Sequence, residues 1–493
     1  MSDRVVAEAV AGVTTGAPQP PGIGAARENA AGRTERGPAA GRADGAGVAG
    51  GTATGAAVGA SGSGAAPDAD VAATAEAAAA AVDGEALVEL VRGAVRIPSV
   101  TGEEGRFARW VAEQLSAGCW DEVRCAEVAP GRPNVYGFAG GAGGRSLVLA
   151  GHLDTVAVDD WRRHWARSDR ADPFGAHVID GAIWGRGVAD QKAGICASIE
   201  ALRALGRAGH RPGGAVTALF VCDEESGRPG SGVSAGMRAA LCDAFGEAGE
   251  HGPPADFAVY TEPTTSAIYT AQMGFLIADV ALEGRSAYFG TPELGVDALR
   301  AGHALLSELW RHSAELGAGG RHELLGEAFL LVTSVSAGGN IAVPGRFDLS
   351  LIQKVLPGED LAEAAAAIEQ ICEQVAERHG VAAEVVFSAP RDHAVGGTPD
   401  EISARHPGVL ELSRSIESTT GQPARIEGAP YWSEKPFLRS LGIPGVYFAP
   451  GDISCCHTPF ERLEIDELIS ATRSLAHFVA SWCGVQKLQT TPG

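Results

Sequence analysis

The sequence predicts an α/β fold in two parts, a larger unit interrupted by a smaller one, and three observations carry that reading. Short apolar runs, "SLVLAGHLD", "VTALFVCDEE" and "DFAVYTEPT", end in polar residues and alternate with helical spacing such as that over 191–208. Between about 273 and 388 the texture becomes strand, helix, strand, strand, helix, strand, the βαββαβ order of a ferredoxin-like unit. After 388 the first texture resumes, with helices near 406–420 and 465–482 around a strand at "GVYFAP".

Taken in order, residues 1–82 are Ala/Gly/Pro-rich, without an aromatic and almost without a large aliphatic residue. Such a segment cannot bury enough surface to offset its chain entropy, so it predicts a disordered tail, with at most a short helix near 72–82. "GEALVELVRGAV" and "RFARWVAEQLSAG" then show helical apolar spacing and open the larger unit, expected over 83–272 and 389–485. The smaller unit, 273–388, reads as strand "FLIADVAL", helix 295–316, strands "AFLLVTSV" and "RFDLSLIQKV", helix 360–378 and strand "AAEVVFS". Residues 486–493 are a short tail. In α/β folds functional groups gather at the carboxyl ends of strands, where these apolar runs place their acids and histidine.

The 493 residues are enough for two or three well-buried domains. Lys and Arg number 39 against 61 Asp and Glu, a net charge of −22, which argues against nucleic-acid and anionic-membrane partners. Nine cysteines without a CxxC pair do not form a disulfide framework and predict a reducing, cytoplasmic compartment. The opening "MSDRVVAEAV" has no apolar core of a secretory signal, and no run is long enough to predict a membrane-spanning helix.

Five stretches carry residues suited to metal chemistry: "GHLDTV" (His152, Asp154), "GRGVADQKAG" (Asp190), "DEESG" (Glu224, Glu225), "TEPT" (Glu262) and "CCHTPFE" (His457). Each alone is weak, since an acid pair is usually a solvated turn and a lone histidine is usually structural. Their joint occurrence at strand ends is the signal. Imidazole and carboxylate together suit zinc and similar ions. The count fits two ions: one acid bridging, one His and one acid terminal on each, and one acid left for proton transfer.

The ordered motifs HLD, GRGxxDxK, DEExG, EPT and CHTPxE resemble the M20 family of di-zinc amidohydrolases and peptidases, from "IPSVTGEEG" at 97–105 to about 470. "YWSEKPFL", "APGD" and "CHTPFE" are most similar to its acetylornithine deacetylase and succinyl-diaminopimelate desuccinylase branch. The resemblance implies a catalytic domain with a mixed central sheet and an inserted lid domain that pairs two chains. It implies that His152 and Glu262 hold one divalent ion, Glu225 and His457 the other, and that Asp190 bridges. Zinc is the first expectation for both ions, cobalt and manganese the alternatives. Asp154 would fix the His152 tautomer and Glu224 would be the general base. Asp223 is left without a role.

The smaller unit departs from the family pattern. "GRSAYFGTP" has Tyr288 where the family carries a histidine that reaches the partner's oxyanion; a phenol stays neutral at pH 7 yet can donate a hydrogen bond. "LIQKVLPGED" has Ile352 and Lys354 where the family carries Asp-x-Arg, and lysine lacks the bidentate fork for a substrate carboxylate. Asn340 matches the family asparagine near the oxyanion. Tyr431 and Trp432 read as core packing slightly before pocket walls, and Cys455 and Cys456 as small buried hydrophobes. The expected activity is hydrolysis of a small N-acyl amino acid or related amide bearing a carboxylate, by a homodimer. Tyr288 and Lys354 motivate an acyl-transfer alternative, and retention of Glu224 argues against a binding-only protein.

Overall fold

The computed structural model describes residues 69–225, 232–246 and 254–488. Within Ala65–Gly493, a single compact unit, the strands that matter to the site are β1 (Glu122–Ala129), β2 (Arg132–Ala142), β3 (Leu147–His152), β4 (Gly214–Val221), β5 (Phe257–Tyr260), β6 (Ile268–Gln272), β7 (Gly274–Glu283), β8 (Phe329–Ala337), β9 (Arg346–Val355), β10 (Ala382–Phe387), β11 (Ile426–Ala429) and β12 (Gly445–Tyr447). The main helices are α1 (Ala69–Ala80), α2 (Gly84–Val95), α3 (Gly105–Ser116), α4 (Ala193–Arg207), α5 (Ala235–Phe245), α6 (Ala298–Ala318), α7 (Leu361–His379), α8 (Pro407–Thr420) and α9 (Ile465–Cys483). No helix among the described residues is long and apolar enough to cross a membrane.

The large sheet is mixed. Its order is β1-β2-β4-β3-β5-β12-β6, with β11 and the short strand Asp400–Glu401 also beside β6. β4, β3, β5 and β12 are mutually parallel, β1 and β2 run against their neighbours, and β6 is antiparallel to β12 but parallel to β11. β3 is buried along its whole length, as a central parallel strand covered on both faces must be. Val91, Val95, Ile195, Leu202, Leu475 and Phe478 belong to one core cluster with Leu147 and Leu149 of β3.

A second sheet is antiparallel in the order β8-β9-β7-β10. The period of two in β7 and β9 buries Leu276, Ala278, Val280, Leu282, Leu349 and Leu351 in a separate cluster with α6 and α7. Asp297 and Asp360 cap those helices by accepting from Arg300 N and from Ala362 and Glu363 N. Gly380, at φ 68°, supplies the left-handed residue that ends α7. A small hairpin, Arg321–His322 with Gly326–Glu327, stands between α6 and β8 and was not anticipated from the sequence.

The alanine run is the main correction to the sequence reading. Part of the tail expected to be disordered, residues 69–80, forms α1 and packs against α9 and α4. Ala75 and Ala78 are fully buried, because methyl side chains let the helices approach closely. Glu76 accepts from the Ser418 hydroxyl and lies 3.6 Å from His477 Nε2. Of the expected tails, residues 1–68 and 489–493 lie outside the described residues, whereas Gln486 and Lys487 belong to a short strand, Val485–Lys487, paired antiparallel with His210–Pro212.

Candidate metal centre

Three neighbouring parallel strands deliver their acids and imidazole to one edge of the large sheet. His152 is the last residue of β3 and pairs with Val221, the last residue of β4. Glu224 and Glu225 follow directly from β4, and Glu262 follows from β5. Asp190 lies in the turn before α4, and His457 follows the 3₁₀ turn Ile453–Cys455. Asp223 and His457 both sit in the left-handed region, at φ 71° and 59°, which non-glycine residues enter only when their surroundings hold them there.

The side chains converge on Asp190. Its Oδ1 lies 3.0 Å from His152 Nε2, and its Oδ2 lies 3.0 Å from His457 Nε2. His152 Nε2 is also 3.7 Å from Glu262 Oε1, and His457 Nε2 is 2.8 Å from Glu225 Oε1. Two ligand sets result, His152/Asp190/Glu262 and Asp190/Glu225/His457, with the donor atoms of each within 4.8 Å of one another. A third overlapping set is His152/Glu224/Glu225. His152, Asp190, Glu225 and Glu262 are buried, while His457 stands half-exposed at the rim.

A second layer of contacts fixes these groups. His152 Nδ1 lies 3.0 Å from the main-chain oxygen of Asp154, whereas the Asp154 carboxylate is 3.7 Å away. That carboxylate accepts from Glu224 N at 3.2 Å, Glu225 N at 2.8 Å and Thr101 Oγ1 at 3.0 Å. The carbonyl of Asp154, and not its side chain, is therefore the hydrogen-bonding partner of the imidazole. Ser433 donates to Glu262 at 2.6 Å. Glu461 accepts from the main chain of Ala189 and Asp190 and from Arg186, which pins the Asp190 turn. Asp223 accepts from Arg132 and from the backbone of Gly232, Val233 and Ala235, tying the start of α5 to the end of β4.

The electrostatics ask for cations. Burial, reinforced by Glu225, Glu262 and Glu434 against His152, holds the Glu224 carboxyl well above its usual range. Burial pushes Glu262 up to about 8 and Asp154 up to about 7, each partly offset by His152. Burial opposes ionisation of Asp190 as well, but hydrogen bonds from His152 and His457 prevail and hold it below the usual carboxylate range. Buried carboxylates at this density are stable when paired or coordinated to metal. Imidazole with carboxylate is a donor set that zinc and similar divalent ions accept. The residues present fit a metal site.

These groups line a cavity of about 280 Å³, whose apolar side is formed by Val156, Phe275, Tyr431, Trp432 and Ile453. Residues 148–481 match the sequence profile of peptidase family M20/M25/M40. The chain belongs to that family. It is 26% identical over 419 residues to the N-formyl-4-amino-5-aminomethyl-2-methylpyrimidine deformylase of Halalkalibacterium halodurans, covering 78% of this chain and 90% of that protein. It is 26% identical over 353 residues to the acetylornithine deacetylase of Edwardsiella ictaluri, covering 70% and 82%. Among solved structures, aminopeptidase PepT of Bacillus cereus superposes with a TM-score of 0.64 at 18% identity, covering 81% of this chain and 99% of that one.

In this M20 chain the residues expected from the sequence divide into two groups. His152, Asp190, Glu224, Glu225, Glu262 and His457 meet in the cavity. Tyr288, Asn340 and Lys354 are not among its lining residues. Tyr288 is 63% exposed and packs on Phe289, and its loop is bridged to the Asn340 turn through Ala342. Lys354 donates to the main-chain oxygen of Leu325, with its Nζ 5.6 Å from the Phe329 ring. Tyr431 and Trp432, read as core slightly before pocket, do line the cavity. Cys456 is buried in the core and Cys455 is half-buried. Ser433, Glu461 and Arg391 escaped the sequence reading although all but Arg391 lie inside quoted motifs. The partners of Ser433 and Glu461 are more than 150 residues away in the chain, and nothing local marks them.

Proposed function

We propose that this M20 chain is a metal-dependent amidohydrolase that removes the acyl group from an N-acyl amino acid or a related small amide. The observation that carries it is Asp190, whose two oxygens face two different histidines while Glu224 stands beside them outside the two Asp190-centred sets. The similar deformylase and deacetylase are named for removing formyl and acetyl groups.

In this reading His152 and Glu262 hold one divalent ion, Glu225 and His457 the other, Asp190 serves both, and zinc is the expected metal. Bound cations supply Lewis acidity toward the amide carbonyl and lower the pKa of water from 15.7 toward roughly 7. The Glu224 carboxylate takes the proton of the attacking water and delivers it to the departing nitrogen. The carbonyl of Asp154 holds Nδ1–H of His152, which leaves Nε2 facing Asp190. The carboxylate of Asp154 orients the main chain of Glu224 and Glu225, and Ser433 orients Glu262. Phe275, Tyr431 and Trp432 restrict water on the apolar side.

The finer reading assigns residues 83–272 and 389–485 to a catalytic domain and 273–388 to a lid that joins two chains. The edge strand β8 supports it by exposing Phe329, Leu331 and Val335. In a homodimer the exposed Tyr288 and Asn340 loops are available to a partner's cavity, with Tyr288 as hydrogen-bond donor. A cytoplasmic location agrees with nine free thiols. Acyl transfer is the weaker reading, because both residues that motivated it lie outside this protomer's cavity.

The test uses zinc- or cobalt-loaded protein with a panel of N-acyl amino acids and dipeptides, reading amine release by mass spectrometry and counting metal on the same sample. Amine release that disappears in Glu224→Gln while two ions remain bound supports the reading. A protein that binds fewer than two ions, or an unaffected Glu224→Gln variant, overturns it.

A further inference from the structure

Two adjacent thiols stand beside the metal centre without a part in the hydrolytic machinery. Cys455 closes the 3₁₀ turn Ile453–Cys455, and Cys456 precedes His457, the histidine that faces Asp190 and Glu225. Successive side chains on extended backbone point apart, but here the turn gathers both sulfurs on one side. The Asp452 side chain accepts from Ser454 N at 2.8 Å and fixes the turn. The Asp452 carbonyl accepts from Cys455 N at 3.1 Å, from Cys455 Sγ at 3.0 Å and from Cys456 Sγ at 3.4 Å. The two thiols are also hydrogen-bonded to each other. Cys456 is only 6% exposed, whereas the half-buried Cys455 is open to a small oxidant.

The backbone couples this pair to the site. The carbonyl of the Cys455–Cys456 peptide accepts from Thr458 Oγ1 at 2.7 Å, which braces the residue after His457. His457 itself sits at φ 59°, a left-handed conformation that its surroundings hold. Adjacent Cα atoms are about 3.8 Å apart across a trans peptide, whereas relaxed disulfides join Cα atoms about 4.4–6.8 Å apart. A ring through both sulfurs therefore closes only if that peptide twists. The twist turns its carbonyl away from Thr458 and swings the chain at His457. We propose that Cys455 and Cys456 are a two-electron oxidation site, whose disulfide withdraws His457 from Asp190 and Glu225. The oxidant is a hydroperoxide. With hydrogen peroxide, the Cys455 sulfur attacks the O–O bond, forming a sulfenic acid and releasing one water. The Cys456 sulfur then displaces the hydroxyl, which leaves with the Cys456 proton as a second water. The two thiols lose two electrons and two protons, and the peroxide takes both. Strain makes such a bond easily reduced by a dithiol, so the change is reversible. The oxidation stands apart from the amide-hydrolase reading, and only its effect on zinc rests on His457 as a ligand.

The test treats the full chain, reduced and zinc-loaded, with equimolar hydrogen peroxide, then alkylates it and cuts it with trypsin. Cleavage after Arg439 and Arg462 releases residues 440–462, in which these two are the only cysteines. The expected peptide is two hydrogens lighter and takes no alkyl group until dithiothreitol restores both sites. Cys456→Ser should instead leave a sulfenic acid at Cys455 that dimedone captures. Oxidation of the wild type should weaken zinc binding about tenfold or more in chelator competition, with recovery after dithiothreitol. Cys455→Ser/Cys456→Ser should bind zinc as the reduced wild type does, before and after peroxide. A peptide that still takes two alkyl groups, a bond from either thiol to another cysteine, or sulfinic acid without the disulfide overturns the site. A disulfide that leaves zinc affinity unchanged overturns its link to His457. If the double variant does not fold, the wild-type mass and zinc measurements decide alone. The hydrolase reading fails separately, by the metal count of the reduced protein and an unaffected Glu224→Gln variant, so the two failures are distinct.

Discussion

The Nδ1 of His152 is hydrogen-bonded to the main-chain carbonyl of Asp154, at 3.0 Å, while the carboxylate of the same residue turns to the backbone of Glu224 and Glu225. One residue thus orients an imidazole with its backbone and the end of β4 with its side chain. Asp154→Ala should leave the His152 tautomer intact but strip two buried N–H groups and Thr101 of their acceptor. The expected cost is about 1–3 kcal/mol of stability, with a fall in activity, and Asp154→Asn should be milder because its amide oxygen still accepts. Urea unfolding of both variants checks this, and equal stability of all three proteins would contradict it.

Glu224→Gln keeps the shape of the proposed base and removes its ability to take a proton. Turnover should fall about 10²–10⁴-fold with metal content unchanged. Parallel loss of metal would instead make Glu224 a ligand, as the His152/Glu224/Glu225 grouping would then require.

Chelation should destabilise the protein as well as silence it, because Asp190, Glu225 and Glu262 are buried together. A lower melting temperature after dialysis against a chelator, restored by zinc, is the expected result. An unchanged melting temperature would mean that these carboxylates do not hold an ion.

Glu434 gives a pH signature that does not involve a ligand. Burial, partly offset by its hydrogen bond from Tyr260, pushes its carboxyl up to about 7 from 4.5. The folded state therefore keeps a proton that the unfolded chain releases above pH 4.5. This contribution to stability is full below pH 4.5 and is lost as pH rises to about 7, on the order of 3 kcal/mol. Wild type should thus lose stability relative to Glu434→Gln between pH 5 and 7.5. A pH-independent difference between the two would refute the assignment.

Helix α1 should behave as part of the folded unit. Deletion through residue 82 removes Ala75 and Ala78 from the face of α9 and should lower the melting temperature by several degrees. Deletion through residue 68 should not. Equal melting of both truncations would show that α1 contributes nothing.

The β8 edge carries the assembly prediction. Leu331→Lys or Val335→Lys on that exposed strand should shift a dimer toward monomer in light scattering. A wild-type protein that is monomeric at all concentrations would contradict the dimer reading.

Much of the site was legible because its chemistry is local in sequence. His152, Glu224, Glu225 and Glu262 each close an apolar run, and a strand's end is also where its chain reverses, so the pattern reveals both the element and the place of its functional group. The second sheet was legible for a similar reason, since alternation with period two in β7 and β9 marks which side chains are buried.

What the sequence could not decide is which atom meets which. Asp154 near His152 suggests a carboxylate–imidazole pair, yet the backbone direction after β3 brings the carbonyl closer. Lys354 bears the right charge, but on β9 it reaches Leu325 and not the cavity. Arg391 comes 167 positions after Glu224 and enters the site only because β7 carries its loop past Phe275 and Trp432. The alanines of α1 looked too small to hold a segment in place, because a methyl group's worth depends on how close a partner helix can come. Residue type and spacing, set by the sequence alone, determined the fold class and the acids and imidazoles of the centre. Partner choice depends on distances of a few ångströms between segments far apart in the chain, and only the packed tertiary structure fixes those.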